Sequence, residues 1–152
     1  MMFQFTPMLP VGSVVPDFYL LDQRGRSVGL AESMGERGCV LGFFASNGQR
    51  ADLEMLIALE AQREAFKQLG YSVLAISSQN WEPLFYLAQR LSLDYPVLFD
   101  QCARQSTRFG AVWIPRFMTG RALFVLNREQ QVVVAQKSLN VSLLLQCIAQ
   151  PL

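Results

Sequence analysis

Two dense apolar runs, Cys39–Phe44 (CVLGFF) and Tyr71–Ser77 (YSVLAIS), constrain the fold of this chain more than any other feature. Neither alternates cleanly between polar and apolar residues. Each therefore predicts a strand buried on both faces of a sheet. Between them, Ala51–Leu69 carries Leu53, Leu56, Ile57, Leu59, Phe66 and Leu69 as an apolar helical stripe, and Gly70 ends it. A strand, a helix and a second strand in this order predict a parallel pair joined by a crossover.

The remaining segments extend this core. Phe18–Leu21 and Ser27–Leu30 flank the turn Asp22-Gln23-Arg24-Gly25, which predicts a hairpin. Gly35 to Gly38 reads as a loop. Asn80 is placed to cap a helix with Pro83 in its first turn, and Leu84, Leu87, Ala88 and Leu91 face inward. Pro96–Phe99 reads as a short strand, and Asp100 caps a brief helix that ends near Gly110. Arg121–Asn127 and Gln131–Gln136 predict a second hairpin, and Val141–Ala149 a closing helix. Crossover helices combined with two hairpins imply one α/β domain over residues 1–152, with a mixed sheet covered by helices on both faces.

Composition excludes several functions. The 152 residues include no histidine and three widely spaced cysteines, at positions 39, 102 and 147. That leaves no zinc pattern, no disulfide framework and no Ser-His or Cys-His nucleophile pair. The pattern implies no cofactor. The net charge of +1, without a basic run, argues against nucleic acid. No apolar run reaches the roughly 18–20 residues of a membrane span. The first residues, broken by Pro7 and Pro10, do not read as a signal peptide. The expectation is a cytoplasmic protein. Charged residues make up 16% of the chain, against roughly 25% in soluble domains, which favours a covered surface and a homodimer.

The ordered set VGSVVPDFYLLDQRGRSVGL, VLGFF, GYSVLAIS, YPVLFD, RFGAVW and RALFVLN resembles the peroxiredoxins of the alkyl hydroperoxide reductase/thiol-specific antioxidant type. The resemblance covers Val11 to about Gln136. It implies a thioredoxin-like three-layer α/β/α sandwich with a mixed central sheet and an N-terminal β-hairpin, and an antioxidant oxidoreductase ancestry. That family carries a P-x-x-x-T-x-x-C element, in which the proline shields the site, the threonine orients the peroxide and the thiolate attacks it. In this chain those positions fall on Ala45, Gln49 and Asp52. A thioredoxin register would place its cysteines on Gly48 and Ala51 instead. Neither register contains sulfur. Pro115 lies too far ahead of strand 121–127 to match the cis-proline of thioredoxins. Arg121 stands where the family keeps the arginine that lowers the thiol pKa.

The vestigial site implied by the resemblance therefore comprises Ala45, Asn47, Gly48, Gln49, Asp52 and Arg121. Each residue also has a structural reading. Asp52 can be a first-turn acid favoured by the helix dipole, Arg121 its ion-pair partner, and Ser46, Asn47 and Gln49 helix-entry residues. Trp113 and Phe117 can form a partner surface or simply pack. Cys39 begins a strand about 17 Å long, at the pole opposite the site, and reads as a small buried hydrophobe. Cys147 reads as a packing residue. Cys102 follows strand 96–99 near a helix start, and some peroxiredoxins place a resolving cysteine in this helix. It is the one candidate catalytic thiol.

Three functions stay open at this point. The chain can be a redox-silent module that binds a small anion or protein partner at the vestigial site. It can be a peroxide or disulfide reductase working through Cys102. It can be a structural subunit of an oligomer. For the first reading, the backbone N–H groups of the helix start near Asn47-Gly48-Gln49, with Arg50 and Arg121, predict an anion pocket. Asp52 is the competitor for Arg121.

Overall fold

Tyr71–Ser77 forms a strand over its whole length, and Gly38–Phe43 forms a second beside it. The structure is a computed structural model that describes residues 4–5, 8–45, 49–114 and 118–149. In chain order its strands are β1 (Gln4–Phe5), β2 (Tyr19–Leu21), β3 (Ser27–Gly29), β4 (Gly38–Phe43), β5 (Tyr71–Ser77), β6 (Val97–Phe99), β7 (Val112–Ile114), β8 (Met118–Thr119), β9 (Ala122–Asn127) and β10 (Val132–Gln136). The helices are α1 (Arg50–Ala61), α2 (Arg63–Gln68), α3 (Trp81–Leu91), α4 (Arg104–Phe109) and α5 (Val141–Ala149), with 3-10 turns at Ala31–Ser33 and Gln101–Ala103.

Seven strands make the main sheet in the order β10-β9-β4-β5-β6-β2-β3. The central β4, β5 and β6 run parallel, and hairpins add antiparallel strands at both sides. Right-handed crossovers between successive parallel strands place their helices on one face. That face holds Val40, Val73, Ala75, Leu123 and Val125, packed against Met55, Leu56 and Leu59 of α1, Phe66 of α2, Leu84 and Leu87 of α3 and Leu144 of α5. Gly42 lets α1 lie close, since a Cβ there would stand 2.9 Å from a Leu59 methyl. The opposite face holds Cys39, Leu41, Phe43, Leu74, Ile76, Phe124 and Leu126, covered by Phe109 of α4 and by Val15, Phe18 and Leu30. Every residue of β4 is buried, which is why its sequence shows no alternation.

The architecture is the expected mixed-sheet α/β sandwich, with differences in detail. The helix expected over 51–69 is broken at Gln62, where φ is −100° and ψ is 6°. No proline or glycine marks the break. It turns the chain so that Phe66 returns to the core after Leu59. Ile57, expected in the inward stripe, is 49% exposed, one position round the helix from buried Leu56. Asn80 occupies the N-cap position of α3 with an extended backbone, but its side chain makes no capping bond. The second face carries a single α-helix, α4, rather than a full helical layer. The three-stranded sheet β1-β7-β8 was not expected at all. Strands of two or three residues carry no readable period.

Candidate functional site

The pole where β4, β5 and β6 end gathers the described members of the predicted site, Ala45, Gln49, Asp52 and Arg121. In the antiparallel pairing of β9 with β4, Ala122 stands opposite Phe43. Arg121, one residue earlier, is thereby carried past the end of β4 towards the start of α1. Asp52 lies in the first turn of α1. A separation of 69 residues closes to a forked ion pair. Arg121 Nε donates to Asp52 Oδ1 at 2.7 Å, and Arg121 Nη2 donates to Oδ2 at 3.3 Å.

The two partners are buried unequally. The Asp52 side chain has no exposed surface, and that of Arg121 keeps 31% of its own. The charged carboxylate is tolerated because a planar guanidinium meets it at both oxygens and the helix N-terminus adds positive potential. Of the six positions expected to form a vestigial site, the structure joins Asp52 and Arg121 directly. Gln49 is the N-cap residue of α1 by position, with its carbonyl accepting from Leu53 N–H at 3.1 Å. Its side chain is exposed and makes no cap bond, which corrects the capping expected of it. Ala45 is buried at the end of β4. Asn47 and Gly48, with Ser46, Pro115 and Phe117, lie outside the described residues, as does the side chain of Trp113. Arg50 points away into solvent and pairs with Glu54 at 2.8 Å.

The cysteines separate clearly. Cys39 is fully buried at the opposite pole, in register with Ser72 and Leu126, and burial pushes its thiol pKa up to about 12. It is a protonated, packed side chain. Cys102 is exposed on the expected side, just after β6. It also lies near a helix start, as expected, but on unusual backbone. Cys102 and Ala103 both hold left-handed backbone, with φ of 58° and 52°, and α4 begins only at Arg104 and runs for six residues. Cys102 thus stands two residues ahead of a short helix. Cys147 is also exposed, which corrects the packing role expected for it. The helical period in α5 turns Val141 and Leu144 inward and leaves position 147 on the outside.

Asp100 performs the capping expected of it, one turn later than expected. Its carboxylate is fully buried and accepts from Gln105 N–H at 2.9 Å, from Ser106 N–H at 2.8 Å and from Ser106 Oγ at 2.7 Å. These bonds fix the loop that presents Cys102. Sequence reasoning missed Gln23, which is buried and ties the N-terminal hairpin to the start of β6. Its amide donates to the Tyr95 carbonyl at 3.1 Å and accepts from Val97 N–H at 2.8 Å. A glutamine in a predicted turn gives no signal of this.

Among the described residues, no group of three or more His, Cys, Asp or Glu side chains could hold a metal ion. No helix among them is long and apolar enough to cross a membrane.

Comparison with known proteins bears on the family and the fold. The model of the AhpC/TSA family matches residues 11–135. Peroxiredoxin Bcp of Escherichia coli (strain K12) is 28% identical over 121 residues, covering 79% of this chain and 76% of that protein. The chloroplastic peroxiredoxin Q of Gentiana triflora is 30% identical over 123 residues, covering 80% of this chain and 56% of that protein. Among solved structures, peroxidoxin BcpB from Mycobacterium tuberculosis superposes with a TM-score of 0.82 at 20% identity, over 91% of this chain and 95% of that one. A cysteine-to-serine mutant of PrxQ from Xylella fastidiosa gives 0.83 at 13% identity, over 93% and 96%.

Proposed function

We infer that this chain, which belongs to the AhpC/TSA family, has exchanged the family's thiol chemistry for a fixed ion pair and acts as a ligand- or partner-binding module in cytoplasmic redox homeostasis. One observation carries the reading. Asp52, at the position the resemblance assigns to the attacking thiolate, is wholly buried and held at both oxygens by Arg121. Peroxide reduction needs a sulfur that can be oxidised and then reduced again. A carboxylate cannot cycle in that way, and Gln49 does not replace the hydroxyl that would orient the peroxide.

The Asp52 contact uses Nε and Nη2 of Arg121, and the guanidinium has other N–H groups to give. We propose that a small anion takes up these donors together with the first N–H groups of α1. Asp52 lowers the affinity by already neutralising the arginine. A homodimer fits the low charge of the surface.

A second reading rests on Cys102, which is exposed after β6 at the same pole. In it, the thiol reduces a disulfide or peroxide without help from the ion pair. A third makes the chain a structural subunit whose ion pair only braces the fold.

A peroxide-consumption assay with thioredoxin or dithiothreitol regeneration separates the first two. The expected result is a rate no higher than that of a free thiol, unchanged in Cys102→Ser. A faster rate that Cys102→Ser abolishes selects the second reading. Thermal-shift measurements with sulfate, phosphate and small carboxylates then test the anion site. A rise in melting temperature in wild type that is lost in Arg121→Ala supports it. Equal shifts in both proteins, or none, leave the structural reading.

A further inference from the structure

An unfilled space lies at the other pole of the sheet, away from Asp52, and its origin is a single proline. Ala75 N–H donates to the Pro96 carbonyl at 3.0 Å, and Ala75 is the first β5 residue in register with β6. In a parallel ladder, alternate residues turn both backbone groups to the same neighbour. The next such residue down β5 is Val73, whose carbonyl would accept from residue 96. Proline has no N–H to give, so the ladder stops there. Tyr71–Val73 extends beyond β6 with one edge unpaired, although Val73 is buried. On its far side, the Tyr95–Val97 segment is held in place by the Gln23 amide, so the chain does not collapse into the gap.

The gap is a cavity of about 620 Å³ walled by Tyr71, Ser72, Val73, Tyr95 and Pro96. That size falls within the roughly 300–1,000 Å³ of small-molecule sites. Ser72 adds a buried hydroxyl with no hydrogen-bond partner. Gly35 narrows one side: a Cβ there would stand 2.5 Å from the Gly70 carbonyl oxygen, so the loop lies tight against the start of β5. At the rim, Arg63 is already engaged by Glu60 at 3.0 Å and by Asp94 at 3.3 Å. Lys67 and Glu36 also line the cavity. Both are exposed, and neither has an ion-pair partner among the described residues.

The unused groups are therefore a backbone amide edge, a hydroxyl, one cation and one anion. We propose that this notch binds a short zwitterionic peptide, laid in line with β6 as a continuation of it. Its amide groups pair with Val73, its carboxylate faces Lys67 and its ammonium group faces Glu36. The unpaired edge accommodates about two to three residues at ~3.3 Å each. Main-chain pairing supplies the attraction and the two charges select free termini.

The test uses ¹⁵N-labelled full-length protein titrated with tri-alanine, with amide shifts read at each residue. Saturable shifts centred on Tyr71, Ser72 and Val73 are expected. Tri-alanine acetylated at its N-terminus and amidated at its C-terminus should bind severalfold more weakly. Lys67→Ala and Glu36→Gln, both on the surface, should each weaken the free peptide severalfold and leave the rest of the spectrum in place. No shift in β5 at millimolar peptide overturns the proposal. So does equal binding of the blocked peptide, or unchanged affinity in both variants.

Discussion

The two ends of β4 and β5 have been finished in opposite ways. At the end where these strands terminate, a buried carboxylate meets a guanidinium across 2.7 Å and 3.3 Å. At the end where they begin, Pro96 halts the ladder and leaves Val73 and Ser72 with unused polar groups. The first end is the one our proposal assigns to the family's site, and there Asp52 and Arg121 are paired with each other. The difference shows how substitution at one position changes a site. In the reading proposed above, a carboxylate at the thiol position makes Arg121 a structural partner, while the scaffold around both stays the same.

That contrast predicts unequal sensitivity to mutation. Removing Arg121 takes the forked partner from a fully buried carboxylate, and breaking such a pair from one side costs about 3–5 kcal/mol. Arg121→Ala is therefore expected to lower the urea midpoint strongly. Lys67→Ala, on the exposed rim of the opposite end, should move stability by no more than ~0.5 kcal/mol. Equal losses in the two variants would break the comparison.

A second test uses pH at the buried thiol. The Cys39 thiol is raised from 9.0 to about 12 by burial. Above pH 9 the unfolded chain loses this proton while the folded chain keeps it. The contribution is therefore intact below pH 9 and is lost as pH rises towards 12. The slope from this group is about −1.4 kcal/mol per pH unit inside that window. Denaturation midpoints measured from pH 8 upward should fall more steeply in wild type than in Cys39→Ala. Parallel curves would mean that Cys39 is accessible to base and that this end is less closed than described.

The sequence made the sheet legible because dense apolar runs and turn residues are local signals. CVLGFF, YSVLAIS and the hairpin at Asp22–Gly25 announce themselves without any partner. The Asp52–Arg121 pair was legible as one of two alternatives, since both positions fell in the family frame. What distant residues do to one another could not be read. The break at Gln62 carries no proline or glycine, and the exposure of Ile57 and Cys147 depends on which few degrees of a helix meet the sheet. The notch needs Pro96 set against Val73, a relation that exists only once the register of β5 and β6 is known.

Thiol labelling sharpens the comparison further. Under native conditions Cys102 and Cys147 should react with iodoacetamide while Cys39 stays protected, because only Cys39 is buried. Early labelling of Cys39, read by mass mapping, would contradict the packing at its end of β4. A faster reaction at Cys102 than at Cys147 would mark the loop held by Asp100 as an activating environment.

The smallest expected effect isolates burial as the cause of the largest one. Arg50 and Glu54 form a second Arg–carboxylate pair on α1, at 2.8 Å, near Asp52 in sequence and similar in chemistry. Their side chains are 92% and 64% exposed, whereas Asp52 has no exposed surface. Water screens both charges, and each side chain loses freedom when it is held, so pairs of this kind stabilise a helix by about 0.3–0.5 kcal/mol. Arg50→Ala is therefore expected to change the urea midpoint barely, by about a tenth or less of the loss in Arg121→Ala at the upper end of its range. Added salt should erase even that difference, while the Arg121 variant keeps most of its defect. If Arg50→Ala proves as costly as Arg121→Ala, burial is not what makes the Asp52 pair strong, and this end of the sheet is held by something other than its ion pair.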